Sequence, residues 1–165
     1  MYVGDLVRLK LGPRRGLRRA TSAITHYERG RALETTDPAA ATAAYRRAIA
    51  ARPDLADAHC NLGRLLHDAG DLPAAEASYR RAIAAHATTA VYHFNLGVVL
   101  EDQGDARGAI AAYERSIALD PSLADAHYNL ARQLEALGRA CHDDLVMRRA
   151  IRHLKQYRDL SRTAG

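Results

Sequence analysis

ADAHCNLGRLLHDAGDLPAAEASYRRAIAA (residues 56–85), AVYHFNLGVVLEDQGDARGAIAAYERSIAL (90–119) and ADAHYNLARQLEALGRA (124–140) are three copies of one pattern. His59, His93 and His127 recur with a constant step of 34, as do Asn61, Asn95 and Asn129, and Leu62, Leu96 and Leu130. Gly70, Gly104 and Gly138 keep the step. Looking backward, so do Tyr45, Tyr79 and Tyr113, with Ala48, Ala82 and Ser116. A fixed period of roughly 20–50 residues marks a chain that stacks one small unit on another, and it decides the fold before composition does.

Each unit reads as two helices. Leu62, Leu65, Leu66 and Ala69 follow the i, i+3, i+4, i+7 spacing of an apolar helical stripe. Gly70 then supplies a left-handed stop and Asp71 an N-cap for the second helix, whose Ala75, Tyr79, Ala82 and Ile83 again share one face. Pro53 and Pro121 close two of the units, since proline cannot continue a helix. A helix pair this short cannot bury its own face, so its neighbours must do so.

Composition agrees. Alanine makes up 34 of the 165 residues, with no Trp and one Phe, which suits many closely packed helices. The scarcity of β-branched and aromatic residues excludes a sandwich or barrel. Net charge is +5, yet residues 1–22 alone carry +5, residues 23–138 carry −4 and residues 139–165 carry +4. The basic balance therefore describes the two ends and is no warrant for nucleic-acid binding by the whole chain. No apolar run approaches the length a membrane-spanning helix needs, so no membrane span is expected. Cys60 and Cys141 are too few for a disulfide framework and lack zinc spacing. Without an apolar leader over positions 1–22, they point to a reducing, cytoplasmic setting.

The pattern resembles the tetratricopeptide repeat, a 34-residue helix–turn–helix unit with Leu-Gly in its first helix, a Gly-Asp turn, and Ala, Tyr, Ala and Pro later. The resemblance implies an all-α right-handed superhelical stack (an α-solenoid) of about four units with a long C-terminal capping helix. The expected division is a basic extension over 1–21, repeat units over 22–55, 56–89, 90–123 and 124–161, and a tail over 162–165. Gly30 stands seven residues before Asp37, where Gly63 and Gly97 stand eight before Asp71 and Asp105, so the first helix of the first unit should be one residue shorter. In the last unit two registers are open. Met147 and Ala150 can take the columns of Tyr113 and Ser116, or about seven residues are inserted and Ala150, Leu154 and Tyr157 serve. Either way a final helix over roughly 144–161 follows.

By the resemblance, the first helices line the concave surface, which makes Asn61, Asn95 and Asn129 a ladder of amides there. An amide both donates and accepts, so it can pair with the backbone of an extended peptide of any sequence. The alternative role for these Asn residues is to hold neighbouring units together. Arg64 and Arg132, then Asp68 and Asp102, lie one turn away on the same face and would select charge, with Phe94 and Tyr128 flanking. This mixture does not match the Lys/Asn/Arg clamp with which some family members hold two carboxylates. The His column cannot hold a metal, because equivalent atoms of stacked helices stand roughly 8–10 Å apart. Zinc needs ligands at about 2 Å. Packing between paired helices is the expected role of these histidines. No phosphate loop, nucleophile elbow or metalloprotease motif is present, and the Cys141–Asp144 cluster reads as an inserted turn, so no enzyme, cofactor or metal is expected.

The expected function is therefore that of a cytoplasmic, bacterial protein-interaction module binding a peptide or partner helix. Two alternatives remain: a transcription-linked regulator touching DNA through the basic arm 1–21, and an oligomer that assembles through the ends of the stack.

Overall fold

The structure is a computed structural model that describes the backbone of residues 14–163 and the side chains of residues 21–163. Eight helices follow one another: α1 (Arg14–Leu33), α2 (Pro38–Ala51), α3 (Ala56–Asp68), α4 (Leu72–Ala85), α5 (Ala90–Asp102), α6 (Ala106–Leu119), α7 (Ala124–Cys141) and α8 (Asp144–Thr163). They form four pairs, α1 with α2, α3 with α4, α5 with α6 and α7 with α8. Each second helix also packs on the next first helix, so the pairs stack in chain order. The fold is all-α, as the period requires.

The turns are built as the Gly-Asp signature implies. Gly70 and Gly104 take φ of 80° and 81°, which only glycine adopts without cost. The amides of Asp71 and Asp105 bond back to Leu66 and Leu100, closing the helix ends. The carboxylates of Asp37, Asp71 and Asp105 accept from the amides of Ala40, Ala74 and Gly108 at 2.9, 3.2 and 2.9 Å. These caps start α2, α4 and α6 at the expected residues.

The core repeats with the same step. Tyr45, Tyr79 and Tyr113 are buried between units, each lying on a glycine of the preceding first helix: Gly30, Gly63 and Gly97. A methyl group at Gly97 would stand 2.6 Å from Cε1 of Tyr113. The glycine column is therefore a seat for an aromatic ring. The His column has a defined job as well. The Nε2–H groups of His59, His93 and His127 donate to the carbonyls of Pro53, Ala87 and Pro121 at 2.8, 3.0 and 3.1 Å. Each ring thereby ties a first helix to the loop that leads into it.

The two outer units depart from the expectations. In the first, α1 continues only three residues past Gly30, against five past Gly63 and Gly97. It is nonetheless 20 residues long, because it begins at Arg14, well before residue 22. Basic-arm residues 1–13, and the side chains of 14–20, lie outside the described residues.

In the last unit neither anticipated register holds. The N-cap is Asp143, which accepts from Leu145 and Val146 at 2.8 and 3.1 Å. The step from the Asp105 cap to this one is therefore 38 instead of 34. Four residues are thus inserted, about one helical turn, and α7 absorbs them by running 18 residues instead of 13. Gly138 does not turn the chain. It lies buried inside α7, where an added methyl would meet Met147 of α8 at 2.8 Å. The turn falls instead on His142, which adopts the left-handed φ of 51°.

Candidate functional site

The surface that the first helices share is held together by side chains reaching from one unit to the next. The amide nitrogen of Asn61 donates to the hydroxyls of Tyr45 at 3.1 Å and Tyr27 at 3.5 Å. Asn129 repeats the bond on Tyr113 at 3.4 Å. Asn95 turns to the Cys60 sulfur at 3.5 Å. Tyr92 of α5 donates to Asp57 of α3. The Nε2–H of His67 donates to Asp102 at 2.6 Å. α3 also meets α5 directly. Links of this kind tie successive first helices to one another along that side of the stack.

All four charged candidates are already engaged. Arg64 bridges Glu34 at 2.5 Å and Asp68 at 3.5 Å. Arg132 reaches Glu101 at 3.4 Å, and Asp102 holds His67. The same glutamates accept from tyrosine: Tyr45 donates to Glu34, and Tyr113 to Glu101 at 2.9 Å. Burial first, and the facing carboxylate next, push the hydroxyls of Tyr45, Tyr92 and Tyr113 well above the usual tyrosine range. They therefore remain proton donors throughout the neutral range. The arginines and carboxylates thus stand on this surface as neutralised, partly solvated pairs rather than as bare charges.

The aromatic candidates stay accessible. Tyr128 is 41% exposed, stacks against Tyr157 of α8 at 5.1 Å and lies under the Arg132 guanidinium. Phe94 is half-buried against Tyr113 at 5.8 Å. Tyr27 occupies the equivalent place in the first unit, against Tyr45 at 5.8 Å. Reading with a strict step of 34 passes over Tyr27, because Gly30 precedes Gly63 by 33; aligning on the glycines recovers it. Sequence reading also misses Glu34 and Glu101, since no local pattern marks them, and names Tyr157 only as a possible column residue of the last helix. In the second unit this aromatic place is taken by Cys60, a buried thiol whose pKa burial raises, so it packs rather than reacts.

Each of the three Asn residues keeps its amide oxygen unpartnered within the protein, and none of these oxygens is buried. The surface therefore offers a row of acceptors beside a strip of rings. Among the described residues no group of His, Cys, Asp or Glu is placed to hold a metal ion. No described helix is long and apolar enough to cross a membrane.

A stack of four helix pairs with ring-on-glycine seats is a repeat solenoid. Two tetratricopeptide repeat profiles match the chain, over residues 54–122 and 112–140, together more than half its length, and the chain belongs to the tetratricopeptide repeat family. Its fold is similar to that in the crystal structure of MamA, with a TM-score of 0.78 at 21% identity over 90% of this chain and 84% of that one. The first tetratricopeptide domain of Spaghetti (RPAP3), bound to the HSP90 peptide SRMEEVD, superposes with a TM-score of 0.70 at 19% identity, covering 72% of this chain and 95% of that one. YrrB, described as having an unusual peptide-binding site, gives 0.68 at 20% identity over 85% and 69%. The search of curated proteins gave no significant match.

Proposed function

We propose that this protein is a non-enzymatic interaction module of the cytoplasm that holds an extended peptide against its first-helix surface. The observation that carries the reading is the row of unpartnered amide oxygens of Asn61, Asn95 and Asn129, fixed by inward bonds and flanked by accessible rings. Such oxygens accept peptide N–H groups whatever the sequence. Tyr27, Phe94 and Tyr128 offer apolar faces for alternate side chains. The pairing of Arg64, Asp68, Arg132 and Asp102 leaves those groups to tune charge preference weakly, since exposed pairs are worth roughly 0–1 kcal/mol. The peptide-binding neighbours support the same use of the fold, and the free thiols Cys60 and Cys141 suit a reducing compartment.

Selection of peptides from a random display library tests this. The wild-type chain should enrich a family of peptides, and the triple variant Asn61→Ala, Asn95→Ala, Asn129→Ala should bind them about tenfold or more weakly while keeping its helical circular dichroism. Undiminished binding by a folded triple variant would show the amides to be structural and the groove reading wrong.

A further inference from the structure

The last helix leaves a prepared surface open. In α2, α4 and α6 the eighth residue after the N-cap is Tyr45, Tyr79 or Tyr113, each at most 2% exposed. The following first helix closes over it, and Asn61 and Asn129 of those helices bond to Tyr45 and Tyr113. The same position in α8, eight residues after Asp143, is Ile151, and it is 62% exposed. Leu154 beside it is 37% exposed. With Lys155 and Arg158 these residues line an open cleft of about 380 Å³. Arg148, Ile151, Lys155 and Arg158 fall three or four residues apart, so apolar and cationic groups share one stripe of the helix.

We propose that this end face docks an amphipathic helix with an acidic polar side, contributed by a partner protein, which lies on α8 as α7 lies on α6. The isoleucine and leucine provide the apolar seat, and the surrounding cations choose the sign of the occupant. Asp159, one of the two acids of α8, pairs with Arg158 at 3.5 Å, so Arg148 and Lys155 are the cations of the stripe that set the sign. A second copy does not suit the surface. Face to face, α8 would set arginine against arginine. Among the described residues, the other end of the stack exposes Arg29 and Arg31, with Glu28 bound to Arg31, so among them neither closed nor head-to-tail pairing finds the required negative face.

The experiment uses the full chain and a fluorescein-labelled helical peptide of about 18 residues, with Leu at the i, i+3, i+4, i+7 positions and Glu flanking them. A second peptide carries Lys in place of Glu. Fluorescence anisotropy should show the Glu peptide binding about tenfold or more tightly than the Lys peptide. Ile151→Ser with Leu154→Ser should weaken it about tenfold without lowering the thermal midpoint, since both positions face solvent. Arg148→Glu with Lys155→Glu should abolish the preference. The triple Asn→Ala variant should bind unchanged, which separates this face from the peptide groove. Equal binding of the two peptides would overturn the proposal, as would loss of binding in the Asn variant alone. So would a concentration-dependent dimer in sedimentation velocity that the Ile151/Leu154 variant dissolves, because the occupant would then be a second copy.

Discussion

The boundary between the first and second units and that between the third and fourth are built from the same four residue types; the boundary between them, with the same period, is not. At the outer two, a glutamate, a tyrosine, an asparagine and an arginine close one network: Glu34, Tyr45, Asn61 and Arg64, then Glu101, Tyr113, Asn129 and Arg132. In the middle, His67 and Val98 replace the charged members. Tyr79 makes no hydrogen bond, Asn95 turns to Cys60, and His67 binds Asp102 instead. Yet Tyr79 is as buried as its counterparts and lies on Gly63 in the same way. The ring-on-glycine seat is common to all three helix pairs, and the polar network is an addition present at only two of the boundaries.

The largest expected effect tests that seat. Gly97→Ala would place a methyl 2.6 Å from a ring whose hydroxyl is held by Glu101 and Asn129. A net loss of about 2 kcal/mol should appear in urea denaturation, after the helix-propensity gain of about 1 kcal/mol. Gly63→Ala meets Tyr79 at 3.0 Å, and no hydrogen bond holds that ring in place. It should cost about half as much, and equal losses would break the distinction.

Removing hydroxyls comes next. Tyr113→Phe strips Glu101 and Asn129 of their shared partner and should cost about 1 kcal/mol. Tyr79→Phe should change stability by under about 0.5 kcal/mol, since nothing bonds that hydroxyl. Urea denaturation, which checks both hydroxyl variants, also extends the contrast to the turns. His142 stands in a left-handed conformation where the inner turns place Gly70 and Gly104, so His142→Gly should stabilise the chain by about 0.5–1 kcal/mol.

The smallest effect concerns the outermost pair. His127 gives its Nε2–H to Pro121, so its Nδ1 accepts from Nδ1–H of His153 at 3.0 Å. Two protonated rings cannot share that bond. Burial, then His127 and Arg149, hold His153 below its ordinary value of 6.5, with Arg152 adding to them and Glu114 opposing. A histidine whose folded pKa is depressed lends stability that is complete above 6.5 and is lost as pH falls through the folded value. The thermal midpoint should therefore drop below pH 6.5, and His153→Gln should flatten that slope.

Much of this architecture was legible beforehand. The tyrosine column, the Gly-Asp turns and the Asp caps are local or strictly periodic, and they placed α2 to α6 closely. The last unit was less legible because Gly138 keeps the step while the turn moves to His142. One helical turn was inserted, which preserves the inward face and so leaves no trace in the apolar pattern. For the site, the asparagines and rings could be named, but the glutamate partners of the arginines could not. Glu34 belongs to the unit before that of Arg64, and Glu101 to the unit before that of Arg132, so no helical spacing links either pair.

By itself, then, the sequence determined the unit: two short helices with one apolar stripe each, a glycine turn, and neighbours required to cover what the pair exposes. Local dihedral preferences and hydrophobic periodicity act within one unit, and they suffice for that. Only the tertiary structure decided which side chains meet between units, that the charges of the first-helix surface arrive already paired, and that Ile151 stands uncovered where its counterparts are buried. Those facts depend on how far one helix lies from the next, which only packing across the whole stack can set.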